Sequence, residues 1–351
     1  MKSFQFIPRA LPIAYTACIV TLLSVLWCPR AHAGDTLDKI RMRGELWCGV
    51  CDNQTGFAAQ DAHGRWNGID ADFCRALAAA ALRDPEKVRF VPLISSARFP
   101  ALKAGDIDVL VRSTTWTLSR EAGLGLAFTG TLYYDFQSIM VRSGRSIKSI
   151  DDLRGATIAV VKATTHETML KQLSAGQGPQ LQLRVFDTMH AAKKAFLAGD
   201  CQILTGDGTD LAIMRLNAPG GADKYTVLPG KLHKEPLGPA VRRGDEEWFT
   251  LVKWVLFALI EAEEQGITQE NAAAMRDTSK SPYIQELLGQ AGNMGSLLGV
   301  DRDWVVRILK AVGNYEEIFD RNLGGKSPLK IDRGYNRLWK DGGLLIAPPF
   351  R

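Results

Sequence analysis

The chain has 351 residues, 46% hydrophobic and 23% charged, with 43 Lys and Arg against 38 Asp and Glu. That length suits two domains with full cores. Lys2, Arg9 and Arg30 all fall in residues 1–33, which hold no acid, so residues 34–351 balance 40 basic side chains against 38 acidic ones, and this near balance gives no reason to expect nucleic acid or an anionic membrane as partner.

Residues 1–33 read as an export signal. Lys2 and Arg9 make a positive start, residues 10–28 carry no charge, and Ala31-His32-Ala33 offers small residues at the two positions a signal peptidase reads. Cleavage after Ala33 would release a periplasmic protein beginning at Gly34. A membrane anchor is the competing reading of so long an uncharged run. Pro12 and the A-x-A site argue against it, and Trp27 is too bulky before Cys28 for a lipoprotein site. Further on, Leu251–Ile260 is apolar but short and holds Lys253, so a buried helix is expected there.

The next elements form a weak internal repeat. Arg43-Gly44-Glu45-Leu46 opens a predicted strand to about Val50, and Arg154-Gly155-Ala156-Thr157 opens another to about Val161. Ala104-Gly105-Asp106 leads into a predicted strand Ile107–Val111, and Ala198-Gly199-Asp200 into Cys201–Thr205. The same punctuation in the same order twice marks a duplicated unit. Between the marks each unit reads strand, helix, strand, helix, strand. In the first, Asp70 is placed to cap a helix whose Phe73, Leu77, Ala80 and Ala81 share a face, and Val88–Leu93 is a strand. In the second, Thr164 or Thr165 is placed to cap a helix over 166–173, and Leu181–Phe186 is a strand. Short apolar strands between helices predict an α/β fold with mostly parallel sheets covered by helices.

Four cysteines follow the signal: Cys48, Cys51, Cys74 and Cys201. An oxidising compartment makes a disulfide plausible. Trp47-Cys48-Gly49-Val50-Cys51 imitates a W-C-x-x-C redox motif, which needs a helix starting at its first cysteine. Here Cys48 falls inside a strand, so the two cysteines face opposite ways. A Cys48–Cys74 bridge from strand to neighbouring helix is expected, with Cys51 as the competitor.

Parallel sheets place ligands beyond the carboxyl ends of their strands. That rule selects Cys51–Gly56, Ser113–Arg120, Lys162–Glu167 and Gly206–Asp210. A free amino acid brings a carboxylate and an ammonium, and burying either unpaired is costly. Arg120 is the natural carboxylate partner, because its planar fork binds two oxygens at once. Ser113, Thr115 and Thr117 precede it with hydroxyls at alternate positions. Backbone amides of Thr164 and Thr165 at a helix start add anion-binding donors. Asp207, after the matching strand of the second unit, is the candidate ammonium partner.

These residues carry a resemblance. Ser113-Thr114-Thr115-Trp116-Thr117-Leu118-Ser119-Arg120 resembles the carboxylate-binding segment of periplasmic polar amino-acid-binding proteins. Thr164-Thr165 matches that family's Gly-Thr-Thr helix start, and Asp207 its ammonium-binding Asp. Thr114–Arg120, Lys234-Glu235-Pro236-Leu237-Gly238-Pro239, Trp254–Ala262, Val312-Gly313-Asn314-Tyr315 and the ending Gly342–Arg351 are similar to the general L-amino-acid-binding subgroup. The likeness spans about residues 35–351. It implies a type II periplasmic-binding fold, with lobe 1 from 35–132 plus 236–351 and lobe 2 from 133–235. Two crossings near Leu132–Phe136 and Pro229–Pro236 would form a hinge. It implies the substrate-binding component of an amino-acid ABC transporter, a monomer delivering a free L-amino acid to a permease and its ATPase, with no cofactor or metal. Three positions depart from the pattern. Ala163 replaces the glycine before Thr164, Gly206 stands where Thr is frequent, and the Asp52-Asn53-Gln54-Thr55 loop is unusually polar, so Asn53 and Gln54 are expected to set side-chain preference. Cys201 resembles a family cysteine whose expected strand partner falls at Ala159, so it is expected to be unpaired.

Enzymes of the same fold are the competing reading. A dehydratase would need a catalytic acid over the clamp, for which Glu167 is the nearest candidate. The histidines show no metal spacing, and there is no G-x-S-x-G elbow or phosphate loop.

Overall fold

A computed structural model describes residues 35–144, 150–175, 180–228 and 231–351, together with Met1 and Ser3. The signal and its cleavage site thus lie outside the described residues, apart from those two. In chain order the strands are β1 (Leu46–Cys51), β2 (Ala59–Gln60), β3 (Trp66–Asn67), β4 (Val88–Leu93), β5 (Val109–Leu110), β6 (Leu126–Phe128), β7 (Tyr133–Arg142), β8 (Thr157–Val161), β9 (Gln182–Phe186), β10 (Ile203–Asp207), β11 (Tyr225–Val227), β12 (His233–Leu237) and β13 (Ala240–Arg242). They build a sheet ordered β4-β1-β5-β13-β6, a sheet ordered β11-β7-β10-β8-β9 with β12 paired to β7, and a small β2-β3 ribbon.

Each main sheet anchors one lobe. β1 runs parallel to β4 and β5, and β8 runs parallel to β9 and β10. These are the duplicated units. β13 lies antiparallel to β5 and β6, and β7 lies antiparallel to β10, β11 and β12. The sheets are therefore mixed rather than mostly parallel, because strands outside the duplicated units complete them by antiparallel pairing.

The repeated Ala-Gly-Asp has the same physical task in both lobes. Gly105 ends the helix Arg98–Ala104 at φ 83°, and Gly199 ends the helix Met189–Ala198 at φ 90°. The amides of Asp106 and Asp200 then donate to the carbonyls of Ala101 and Ala195, each at 3.0 Å. This is a Schellman closure, which glycine enters without a Cβ penalty. The strands begin later than predicted, at Val109 and Ile203. Cys201 is a buried free thiol, as expected, and Leu204 stands opposite Ala159.

The helix Ile69–Leu82 follows Gly68 and has no side-chain cap. Asp70 sits inside its first turn, so the predicted capping role is corrected. Phe73, Leu77, Ala80 and Ala81 are buried, but so are Ala76, Ala78 and Ala79. The helix lies between β1 and the helix Trp304–Val312, and a helix covered on both sides is apolar all round. Its small alanines permit that double packing. A disulfide between Cys48 of β1 and Cys74, with Cα atoms 6.3 Å apart, ties helix to sheet. The apolar Leu251–Ile260 stretch lies within the helix Glu246–Glu264 and is buried over most of its length. No described helix is long and apolar enough to cross a membrane.

The chain passes from one sheet to the other between β6 and β7 and returns between β12 and β13; Pro229 and Gly230 lie outside the described residues. The two passages touch. Thr129 donates its amide to the Pro239 carbonyl at 3.0 Å, and Leu132 to that of Leu237 at 2.8 Å. A Cβ on Gly238 would fall 2.0 Å from the Gly130 oxygen, so only glycine permits this approach. The loop around Thr115 is bonded to the same passage. Gly238 donates to Thr114, and Trp116 to Pro236, at 2.9 and 2.8 Å.

Candidate ligand-binding site

A cavity of about 240 Å³ lies where the carboxyl ends of strands from the two sheets face each other. The loops after β1, β4 and β5 line one side, and those after β8, β9 and β10 the other.

On the first side Arg120 belongs to a π-helical turn, Ser119–Gly123. It is only 7% exposed, and its Nη1 donates to the Thr115 carbonyl at 2.6 Å. Burial pulls its pKa down to about 10, while Glu235 and Asp207 work in the opposite direction. At neutral pH it is thus a buried cation. Ser113 lines the cavity in a left-handed conformation, φ 40°. Asp70 explains the strain. Its Oδ2 accepts from both the Ser113 amide, at 3.0 Å, and the Ser113 hydroxyl, at 3.1 Å. Burial pushes the Asp70 carboxyl up to about 6 despite those bonds and nearby Arg112. The Ser113 hydroxyl is therefore engaged within the protein. Thr115 lines the cavity, with its hydroxyl bonded to Glu235. Thr117 does not line it. Its hydroxyl accepts from the Arg120 amide at 3.3 Å and meets Ser119 at 3.1 Å, so it braces the turn that carries Arg120.

On the second side Thr164 caps the helix Thr165–Ala175. Its hydroxyl donates to Val161 at 2.7 Å and accepts from the Glu167 amide at 3.2 Å. Thr164, Thr165 and His166 line the cavity at this helix start. Ala163 does not. Its carbonyl accepts from Arg98 Nη2 at 3.2 Å, a bond between the two lobes. Glu167 also stays outside, held by the Ala163 amide at 2.8 Å and Lys171 at 2.7 Å. Ala163 has φ 60°, a conformation that costs an L-residue about 1–2 kcal/mol. Glycine there would relieve that cost while adding about 0.4–1 kcal/mol of unfolded-state entropy. Ala163→Gly should thus stabilise the ligand-free protein by roughly 0.5–1 kcal/mol. Urea unfolding checks this, and a loss of stability would contradict the strain argument.

Asn53 and Gln54 line the cavity from the loop after β1. The Gln54 Oε1 accepts from the Cys51 thiol at 2.9 Å, and its amide bonds to Ala58 at 2.7 Å, so the loop is a tight turn. Burial drives the Cys51 thiol up to about 12. With Cys48 already bridged to Cys74, the Cys48–Cys51 redox pair does not form.

Four residues that the sequence reading did not assign also belong here. Arg98 and Arg112 line the cavity beside Arg120. Their hydrogen bonds go to neutral acceptors, Ala163 for Arg98, Leu93 and Ser95 for Arg112. Burial drives the Arg98 pKa well down, and Arg120 and Arg112 add to that. Glu235 is 0% exposed on β12, and Thr165 donates to its Oε2 at 2.9 Å. His166 is 6% exposed, with Nε2 3.3 Å from Asp207 Oδ1 and 3.7 Å from Glu235 Oε1. Donor atoms of His166, Asp207 and Glu235 lie within 4.8 Å of one another. Such a set calls for positive charge. Arg120 is close enough to both carboxylates to feel their fields, and a protonated His166 would supply more. Signals were present for three of them: His166 follows Thr164-Thr165, Arg112 precedes Ser113, and Glu235 is the second residue of the Lys234–Pro239 stretch.

Residues 46–271 match the family model described as bacterial extracellular solute-binding proteins, family 3. The chain is 45% identical over 323 residues to the general L-amino acid-binding periplasmic protein AapJ of Rhizobium johnstonii, covering 92% of this chain and 94% of that protein. It is 43% identical over 322 residues to the glutamate/glutamine/aspartate/asparagine-binding protein BztA of Rhodobacter capsulatus, covering 92% and 95%. Among solved structures, an ABC transporter periplasmic binding protein from Brucella ovis with glutathione bound superposes with a TM-score of 0.85 at 43% identity, over 90% of this chain and 99% of that one.

Proposed function

The chain belongs to the bacterial extracellular solute-binding proteins of family 3, and from that membership and the geometry of the cavity we propose that it captures a free L-amino acid for an ABC transporter. The observation that carries this is the meeting of Arg120 and Asp207, from opposite lobes, on one small cavity. A single zwitterion satisfies both. Arg120 holds the carboxylate, with Thr115 beside it and the amides of Thr164 and Thr165 closing from the other lobe. Asp207 takes the ammonium. The lobes, 35–132 with 236–351 and 133–235, close by bending at the two passages between the sheets, a hinge mechanism. The exported protein begins at Gly34, acts as a monomer in the periplasm and hands the amino acid to the permease. Family members are transport binding proteins, and no residue here is assigned a catalytic step.

The three arginines refine the ligand. One α-carboxylate meets Arg120 and leaves Arg98 and Arg112 with neutral acceptors only. A side-chain carboxylate or amide oxygen would satisfy them. A thermal-shift screen of the exported protein against the common amino acids is the test, because a ligand that binds only the native state raises its stability by mass action. Glutamate or aspartate should give the largest rise, and lysine or arginine the smallest. No shift with any amino acid would remove the ligand class.

A further inference from the structure

The ammonium subsite contains more than Asp207. Asp207 Oδ1, Glu235 Oε1 and His166 Nε2 are buried without a hydrogen-bond partner among the described residues, and they converge. Glu235 is fixed from behind by the hydroxyls of Thr115 and Thr165, one from each lobe, which leaves Oε1 facing the cluster. Two carboxylates and an imidazole at this spacing are stable with one positive charge among them, supplied by a proton on the ring or by a cationic guest.

We propose that Glu235 and His166 complete the ammonium subsite with Asp207, and that arrival of the amino acid expels a proton from His166. The inference rests on the amino-acid reading above. Before binding, the imidazolium charge stands 3.3 Å from Asp207 Oδ1 and 3.7 Å from Glu235 Oε1. The ligand ammonium then occupies that position with its own charge. Two cations side by side in a buried site repel, so the Nε2–H bond breaks and the proton leaves to buffer, while the ligand stays fully protonated. Several groups face this exchange. Asp207 ends β10 and Glu235 lies on β12, as does His233, whose Nδ1 is 3.5 Å from Glu235 Oε1. Arg120 approaches from the first lobe and opposes a charge on His166. Asp135 on β7 feels Asp207, and burial and that charge raise its own pKa. For His166, burial disfavours the charged ring, but Asp207 and then Glu235 outweigh it and hold the pKa above its ordinary value.

The sign follows. Where free His166 is protonated, ligand must displace a proton, so affinity falls as pH drops, by up to about tenfold per pH unit. Above that range affinity is level. The experiment is calorimetric titration of the exported protein with the best amino acid from the thermal screen, at about pH 6.5 with EDTA present. It is run in phosphate and in imidazole, buffers of different ionisation enthalpy. The wild type should release about half to one proton per ligand. His166→Gln should release almost none while still binding, and its affinity should not change with pH. His233→Gln and Asp135→Asn should both keep the release. Tight binding with no buffer dependence in the wild type overturns the inference and leaves the amino-acid reading standing. So does release that persists in His166→Gln. A wild type that binds no amino acid in any buffer overturns both.

Discussion

Arg120→Ala should bind amino acids about a hundredfold to several thousandfold more weakly than the wild type, whatever side chain the ligand carries. Removing one partner of a buried charge pair costs roughly 3–5 kcal/mol, and each 1.4 kcal/mol is about tenfold in affinity. Arg120 fits the buried case, since it is only 7% exposed. Its Nη1 is already oriented by the Thr115 carbonyl, and Thr117 braces its turn. A ligand carboxylate thus meets a preset fork. Arg120→Lys should also bind poorly, because an ammonium cannot make two parallel bonds to one carboxylate. Calorimetry of each variant with the ligand that stabilises the wild type most is the measurement. Binding of Arg120→Ala within about threefold of wild type, under roughly 1 kcal/mol, would mean that Arg98 or Arg112 holds the carboxylate instead.

That alternative marks the limit of the sequence reading. The duplicated punctuation exposed both strand–helix–strand units, because Ala-Gly-Asp is a complete helix stop: glycine takes the left-handed position and the aspartate amide closes the last turn. The same signal placed the starts of the following strands two residues early, at Ile107 and Cys201 against Val109 and Ile203. Site loops were legible for a topological reason, as strands of a parallel unit all present their carboxyl ends on one side. Asn53, Gln54, Ser113, Thr115, Arg120, Thr164, Thr165 and Asp207 all fall on the cavity lining. Side-chain direction was not legible. Thr117 and Ala163 have the right neighbours but turn their groups to the Arg120 turn and to Arg98. Glu235 was missed for a different reason. It stands on β12, and the pairing of both β10 and β12 with β7 brings it to Asp207 and His166.

Asp207→Ala should weaken binding by a similar factor, about a hundredfold or more, and the pattern of loss should distinguish the two ends of the ligand. Asp207 ends β10, held in register opposite Gln137 of β7, and its side chain is 16% exposed. A ligand ammonium that reaches the cluster without Asp207 still finds Glu235, but the Thr115 and Thr165 hydroxyls already occupy one oxygen of that carboxylate. One remaining oxygen cannot replace two carboxylates around a buried cation. The loss should therefore be large but smaller than in an Asp207→Ala/Glu235→Gln double variant. The two effects should be non-additive, as expected for groups that share one partner. Deamination of the ligand supplies the matching control. A 2-oxo or 2-hydroxy acid with the same side chain lacks the ammonium, so it should bind the wild type poorly and lose little further affinity in Asp207→Ala. With Arg120→Ala the same deaminated acid should still lose affinity, because its carboxylate remains. If Asp207→Ala discriminates against the deaminated acid as strongly as the wild type does, Asp207 does not read the ammonium and that role passes to Glu235.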